Sequence, residues 1–331
     1  MLASTSFPSP VPLHIPDGFL SPAVSLVCWV LTILGVAVAL RRSQEALGER
    51  RVPLMGVLAA FIFAAQMLNF AVAGGTSGHL IGGALAAVLL GPWAGILTMT
   101  TVVSIQALLF QDGGLLVMGA NILDMGIIAT LVGYGAYRGT ALLAQGRRSG
   151  LLVGGFAGAW LSVVTAAAAC AVELAFSGTS PLGVVMPAMV GVHILIGIGE
   201  GLVTVGALSL VAAARRDLLP APSQTGVRPA RGATGGLGWA ALGLSLAVVL
   251  ALLAPLASPH PDGLERVARN LGFLRAARKA PYEIIPDYVL PGISDEAVAT
   301  IGAGVAGTLI VAAVALGVAR LRRQAAAQRQ L

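Results

Sequence analysis

Residues 22–42 read PAVSLVCWVLTILGVAVALRR, and this stretch has no charged side chain before Arg41 and Arg42 end it. About 20 apolar residues are what an α-helix needs to cross the hydrocarbon core of a bilayer. Arginines directly after such a run are typical of its cytoplasmic boundary. The stretch therefore predicts a membrane-spanning helix that begins outside and ends at the cytoplasmic face.

The composition extends this prediction to the whole chain. Of the 331 residues, 57% are hydrophobic and 10% are charged, whereas a soluble domain has about a quarter charged residues. The 43 glycines fit closely packed transmembrane helices, because small residues let helices approach one another. The formal charge of +6 lies in short loops between apolar runs, so we expect it to set the topology rather than to bind nucleic acid. The predicted class is an all-α polytopic membrane protein.

Nine apolar segments are predicted to be helical spans, with the N-terminus outside. They cover residues 22–40, 53–73, 79–90, 93–110, 117–137, 150–176, 184–213, 237–256 and 297–319. The third is short for a full span and only Gly91 and Pro92 separate it from the fourth, so one broken helix is the alternative. With nine spans, the segments that hold 15 of the 20 lysines and arginines all face one side, which should be the cytoplasm. The charge pattern therefore favours nine separate spans and a cytoplasmic C-terminus.

The predicted spans group into two modules. Residues 13–213 form a unit of seven spans, and residues 237–331 form two spans joined by an outside loop. The polar segment 214–236 is rich in proline and glycine, which predicts a cytoplasmic linker. Residues 1–12 read MLASTSFPSPVP and lack the basic start and apolar core of a signal peptide, so we interpret them as an extension.

The four histidines favour a metal site at the outer face. They are His14, His79, His193 and His260, and the predicted topology places all of them in the outer half of the protein. Imidazole is the commonest transition-metal ligand at neutral pH. Four histidines also fall on one side by chance, so the pattern favours a metal site without requiring one.

His79 ends the turn GGTSGH at residues 74–79. Glycines let the backbone come close to a ligand, and Thr76 and Ser77 are suited to hold a ring or a water there. The alternative is a helix start with Ser77 near the N-cap.

Polar side chains inside or beside the apolar runs are further candidates, because ionisable groups at membrane depth are costly. They are Asn69, Gln106, Gln111, Asp112, Asn121, Asp124, Glu173 and Glu200. His193 and Glu200 share one helix face, but seven residues of helical rise separate them by about 10 Å. We expect these two residues to support the site or to pack helices rather than to bind one ion together, with direct ligation as the alternative.

Several stretches together resemble the CbiM/NikM family, the substrate-specific components of energy-coupling factor transporters for cobalt and nickel. They are LHIPDGFL at 13–20, GTSGHLIGG at 75–83, QALLFQDGGLLVMGANILDMG at 106–126 and HILIGIGEGLVT at 193–204. The motif at Pro261, Asp262, Gly263, Leu264 and Glu265 resembles the PDGLE module, a small companion subunit that is fused here. The resemblance to this version of the module shifts the expectation from cobalt toward nickel.

The resemblance implies a role for three residues in binding the transported ion. Leu13 supplies its free amine, His14 its backbone nitrogen and imidazole, and His79 its imidazole. Four nitrogens in a square favour Ni(II) or Cu(II), with Co(II) also possible. The ion is the transported substrate, so no resident cofactor is expected.

The resemblance also implies partners and a location. ATPase subunits and a transmembrane coupling subunit are expected to drive rotation or tilting of this chain in a prokaryotic plasma membrane. The chain itself has no GxxxxGK[ST] motif for binding ATP, which agrees with a separate ATPase subunit.

The chain departs from the family pattern at Leu13. Leu13 follows Pro12, so its nitrogen belongs to a peptide bond and is not a free amine. Either translation begins at residue 13 from a leucine-type start codon, or the extension is cleaved, or the protein binds metal differently. We expect the first, and the absence of signal-peptide features argues against the second.

Two functions of other classes are alternatives. An intramembrane metal-dependent hydrolase needs an activated water beside a base, and the chain has no HExxH motif. The second is a metal-gated channel or sensor. For the loop after the eighth span, His260, Asp262 and Glu265 are predicted either to pass metal inward or to make a structural contact.

Overall fold

The computed structural model describes residues 14–43, 51–144, 148–215, 218–219 and 236–328. Its helices are α1 Pro22–Ser43, α2 Arg51–Gln66, α3 Gly83–Leu90, α4 Pro92–Ile105, α5 Met118–Asn121, α6 Ala129–Leu143, α7 Arg148–Phe176, α8 Leu182–Ala214, α9 Gly236–Leu252, α10 Gly263–Leu271 and α11 Glu296–Gln328. Wider π-helical turns continue α4 over Gln106–Phe110 and join α5 to α6 over Ile122–Ile128. In this part of the chain, six helical stretches are long and apolar enough to cross a membrane. The predicted all-α polytopic membrane class is confirmed.

The second predicted span differs from the structure at its outer end. Helix α2 ends at Gln66, and an antiparallel hairpin follows, with β1 Phe70–Val72 paired to β2 Thr76–Gly78. Gly74 and Gly75 make the turn, with φ angles of 77° and 70°. Because side chains are strained at these angles, the glycine pair ends the regular structure and reverses the chain.

The third predicted span is a short helix preceded by extended chain. Helix α3 has eight residues, so it is only about 12 Å long and cannot cross a hydrocarbon core of about 30 Å alone. All eight residues are buried, and α4, α6 and α7 pack around them. The chain between Gly78 and Gly83 therefore passes into the bundle without being helical.

Small residues bring the helices of the first module together. The long helices α6, α7 and α8 pack side by side. A Cβ atom added to Gly158 of α7 would lie 2.6 Å from the carbonyl oxygen of Gly133 in α6, so only glycine fits this crossing. The helices α9 and α11 of the second module both pack against α2.

The structure gathers the basic helix ends at one end of the bundle. Arg41 and Arg42 lie in the last turn of α1, and Arg322 of α11 donates a hydrogen bond to the carbonyl of Leu40. At the other end of α1, the N-terminal motif meets the segment 112–117 and the loop between α9 and α11. Which end faces the cytoplasm stays a prediction.

Several predictions fall outside the described residues. They concern Leu13 and the extension before it, most of the linker 214–236, and the basic residues Arg50, Arg147, Arg216, Arg228, Arg231 and Arg329.

Candidate metal site

A cavity of about 80 Å³ lies where the N-terminal motif, the hairpin and helix α8 meet. The side chains of His14, His79 and His193 line it, so three of the four predicted histidines come together. The fourth, His260, has an exposed side chain and approaches the site only through its carbonyl oxygen, which accepts a hydrogen bond from Ser77.

His14 is buried, with 3% of its surface exposed. Its backbone N–H donates to Asp112 Oδ1 at 3.3 Å, and its Nδ1 lies 3.3 Å from the Asp112 carbonyl oxygen. Its Nε2 is buried and has no hydrogen-bond partner within the described part of the chain. Since buried polar atoms are nearly always paired in folded proteins, this nitrogen marks a place for a ligand.

His79 faces His14 across the cavity. The two ring centroids are 5.5 Å apart, and the ring planes make an angle of 68°. The Nδ1 of His79 lies 3.1 Å from the carbonyl oxygen of Leu80, which leaves Nε2 with the lone pair. Burial, and then the neighbouring His14, lower the pKa of His79 to about 4. The imidazole is therefore neutral at neutral pH, as metal binding requires.

His193 completes the set of three rings. Its Nδ1 lies 2.7 Å from the carbonyl oxygen of Met189 in the preceding turn of α8. All three imidazoles are thus held through Nδ1 by a backbone carbonyl, the usual arrangement of metal-ligating histidines. No three side chains of histidine, cysteine, aspartate or glutamate in the described ranges are close enough to hold a metal ion. A metal site here therefore needs donors of another kind, such as backbone or terminal nitrogens.

The N-terminal motif is fixed by two polar side chains. Asn121 forms two hydrogen bonds of 3.0 Å with the backbone of Ile15, one to its N–H and one to its carbonyl. The Asp17 carboxylate accepts hydrogen bonds of 2.9–3.2 Å from three successive backbone N–H groups, at residues 115–117. Asp17 was not among the residues predicted from the sequence, although it is the acidic residue of the motif LHIPDGFL at 13–20.

Glu200 acts on the chain that follows His79. Its carboxylate is fully buried and accepts hydrogen bonds from the N–H groups of Ile81, at 2.6 Å, and Gly82, at 2.9 Å. These two donors precede α3 and have no helical partner. Glu200 therefore holds the extended chain beside His79, and its role at the metal site stays a prediction.

The other predicted polar residues divide between the cavity and its surroundings. Asp124 lines the cavity, and neither of its carboxylate oxygens has a hydrogen-bond donor among the described residues. Glu173 accepts a hydrogen bond from Cys28 instead. Asn69 and Gln106 do not line the cavity, and the side-chain amide of Gln106 donates to Tyr288.

Thr76 and Ser77 lie in strand β2 and do not start a helix, so the N-cap alternative for Ser77 is wrong. The N-cap of α3 is Gly82. The N–H of Ser77 donates to the carbonyl of Pro261 at 2.8 Å, and its hydroxyl donates to the carbonyl of His260 at 2.7 Å. Ser77 therefore attaches the hairpin to the second module.

The PDGLE motif closes one side of the cavity. Asp262 is the N-cap of α10 and accepts a hydrogen bond of 2.7 Å from the N–H of Glu265. Gly263 packs on His193, because an added Cβ would lie 2.7 Å from Cε1 of that ring. Leu264 is buried in an apolar cluster, and Glu265 pairs with Arg269. The motif thus makes structural contacts through Asp262, Gly263, Leu264 and Glu265, and the passage of metal inward stays a prediction.

Comparison with known proteins agrees with this division of the chain. The family model described as "Cobalt uptake substrate-specific transmembrane region" matches residues 14–218, and the PDGLE domain matches residues 237–324. A relative from Archaeoglobus fulgidus, the putative fused nickel transport protein NikMN, is 37% identical over 95% of this chain and all of its own length. The probable fused nickel transport protein LarMN of Lactiplantibacillus plantarum is 35% identical over 73% of this chain and 75% of its own. A crystal structure of a truncated transition metal transporter is 34% identical, with a TM-score of 0.54 over 60% of this chain and 98% of that chain.

Proposed function

Because the chain belongs to the CbiM family of cobalt uptake substrate-specific transmembrane regions and carries a PDGLE domain, we propose that it captures Ni(II) or Co(II) for import. It acts as the substrate-binding component of an energy-coupling factor transporter. The two named relatives are nickel transport proteins, which supports nickel over cobalt.

The placement of His14 and His79 carries this proposal. Two imidazoles that bind one ion through bonds of about 2 Å have ring centroids roughly 4.5–6.5 Å apart, depending on the angle at the metal. The centroids of the two rings are 5.5 Å apart, between the roughly 4.5 Å of neighbouring positions and the roughly 6.3 Å of opposite positions in a square, so square-planar binding requires a shift of one ring. His79 offers Nε2, because its Nδ1 meets the carbonyl of Leu80. A chelate of His14 with its own amide nitrogen uses Nδ1, which then gives up its contact with the Asp112 carbonyl.

The proposed ligands are four nitrogens. They come from the amine of Leu13, the amide and imidazole of His14, and the imidazole of His79. The amide nitrogen and Nδ1 of His14 both face Asp112, so they lie on one side of the residue, as a chelate needs. Binding through the amide nitrogen releases its proton, and Asp112 Oδ1, 3.3 Å from that nitrogen, is placed to accept it. Four nitrogens in a square favour Ni(II), and Co(II) also accepts them. This set requires a chain that begins at residue 13, since only a terminal residue has a free amine.

Transport needs energy from other subunits. The chain has no P-loop motif, so separate ATPase subunits and a transmembrane coupling subunit are proposed to tilt the loaded protein in the membrane. Uptake that depends on ATP hydrolysis by a co-purified partner distinguishes this function from a metal-gated channel or sensor and from a hydrolase.

The test of the site is metal binding by the purified full chain. We expect Ni(II) to bind and His79→Ala to weaken binding by at least roughly 100-fold, because metal-bound nitrogen donors contribute several kcal/mol. The matched control is His260→Ala, which removes an exposed imidazole outside the cavity. Unchanged affinity in His79→Ala would contradict the proposed site, and competition between Ni(II) and Co(II) in the same assay tests the preference.

A further inference from the structure

The segment at residues 282–288 of the second module runs along the C-terminal end of α4. The Tyr282 hydroxyl donates to the carbonyl of Leu108 at 2.9 Å, and the N–H of Ile285 donates to the carbonyl of Leu109 at 3.0 Å. These contacts join the second module to the π-helical turn that leads into the metal cavity. The segment ends with a third contact, which the buried Tyr288 makes.

Tyr288 is buried and its hydroxyl makes two hydrogen bonds. The hydroxyl donates to Asp112 Oδ2 at 2.5 Å and accepts from Gln106 Nε2 at 3.1 Å. The ring stacks on Phe110, with centroids 4.8 Å apart and planes 18° apart. Both the ring and the hydroxyl are therefore fixed against the end of α4.

The backbone around this contact is strained on both sides. Three non-glycine residues in the described part of the chain have positive φ, and all three lie here: Gln111 at 54°, Asp287 at 53° and Tyr288 at 59°. Residues with a Cβ adopt such angles rarely, and the strain persists only where surrounding contacts hold it. Strain of this kind is concentrated at functional sites, and here it places the Tyr288 hydroxyl on Asp112.

Asp112 connects Tyr288 to the proposed metal ligand. One carboxylate oxygen of Asp112 accepts from Tyr288, and the other accepts from the backbone N–H of His14 at 3.3 Å. We propose that Tyr288 is a positioning residue of the metal site, supplied by the second module. Its hydroxyl fixes the orientation of the Asp112 carboxylate, which in turn fixes the His14 backbone where the ion binds. The inference rests on the proposed function, because it assigns Tyr288 to that same site.

The hydroxyl must be tested separately from the ring. Tyr288→Phe keeps the stack on Phe110 and removes only the hydrogen bonds of the hydroxyl. Tyr282→Phe is the matched control, because it removes a hydroxyl from the same segment that reaches a backbone carbonyl away from His14. We expect Tyr288→Phe to weaken Ni(II) binding by the full chain roughly 10-fold, as for the loss of a hydrogen bond to a charged group, and Tyr282→Phe to leave it unchanged.

A double-mutant cycle separates positioning from general stability. If Tyr288 acts through Asp112, Tyr288→Phe has little further effect on Ni(II) affinity in the Asp112→Asn background. An equal loss in both backgrounds, or equal affinities of Tyr288→Phe and Tyr282→Phe, would overturn the inference. Failure of the proposed function is a different result, in which His79→Ala binds Ni(II) normally.

Discussion

Replacing Glu200 by glutamine tests how the protein keeps His79 in place. The Glu200 carboxylate accepts from two backbone N–H groups, at 2.6 Å and 2.9 Å, and its side chain has no exposed surface. In Glu200→Gln the remaining carbonyl oxygen still accepts from one backbone N–H. The side-chain NH₂ group then faces the other N–H and cannot accept a hydrogen bond from it. The loss is that of one hydrogen bond to a charged acceptor, about 2 kcal/mol.

This loss should appear in metal affinity. In the variant, ordering the chain beside His79 uses part of the free energy of metal binding. A loss of about 2 kcal/mol corresponds to a roughly 30-fold weaker Kd. The assay is equilibrium Ni(II) binding to the purified full chain, with Glu296→Gln, an exposed glutamate at the start of α11, as the control. An unchanged Kd in Glu200→Gln would refute the reasoning, because it would show that His79 is positioned without the carboxylate.

Three further predictions concern the ligands and the second module. The pKa of His79 is about 4, so this ring stays unprotonated and available as pH falls from 8 to 6. Affinity should fall over this range through the terminal amine, whose pKa is about 8, and through the His14 amide proton that binding releases. Ni(II) titrations at several pH values should therefore give the same pH slope for His79→Ala as for the parent, and a flattened slope in the variant would contradict this. The intact mass of the natural protein should equal that of a chain whose first residue is residue 13. A mature chain that retains residues 1–12 and binds metal at full affinity would exclude the amine of Leu13 as a ligand. Gly263→Ala places a Cβ 2.7 Å from the His193 ring and should destabilise the protein by about 1–3 kcal/mol, measured as a lower Tm; Gly206→Ala, where the added Cβ meets no atom within 4 Å, is the control.

The apolar runs predicted most of the helices, because a bilayer forces backbone groups to pair within each helix. The prediction failed between Gln66 and Gly83. The turn at 74–79 was predicted, but hydropathy does not report that the apolar residues on either side of it, 67–73 and 79–82, are not helical. The N–H groups before α3 are paired by Glu200, a partner more than 100 positions later. Local pattern cannot predict such a pairing.

The metal site, like the fold, was predicted from the sequence only in part. His14 and His79 were identified by a family motif, and neither charge nor spacing alone would have paired two rings 65 positions apart. The contact between Asp112 and Tyr288 spans 176 positions and two modules, with no periodic signal in the sequence. It depends on the local backbone at Asp287 and Tyr288, whose left-handed angles no composition rule predicts.

The second module reaches the cavity through several contacts, among them Ser77 with Pro261, Gly263 with His193 and Asp112 with Tyr288, while α9 and α11 pack against α2. Docking of its loop is therefore an intramolecular event, with an effective concentration in the millimolar range rather than that of a free subunit. Contacts too weak to hold a separate polypeptide would stay formed here, and diluting the protein would not release them. Each copy of the metal site then carries one copy of the loop, so expression level cannot alter the ratio between the two.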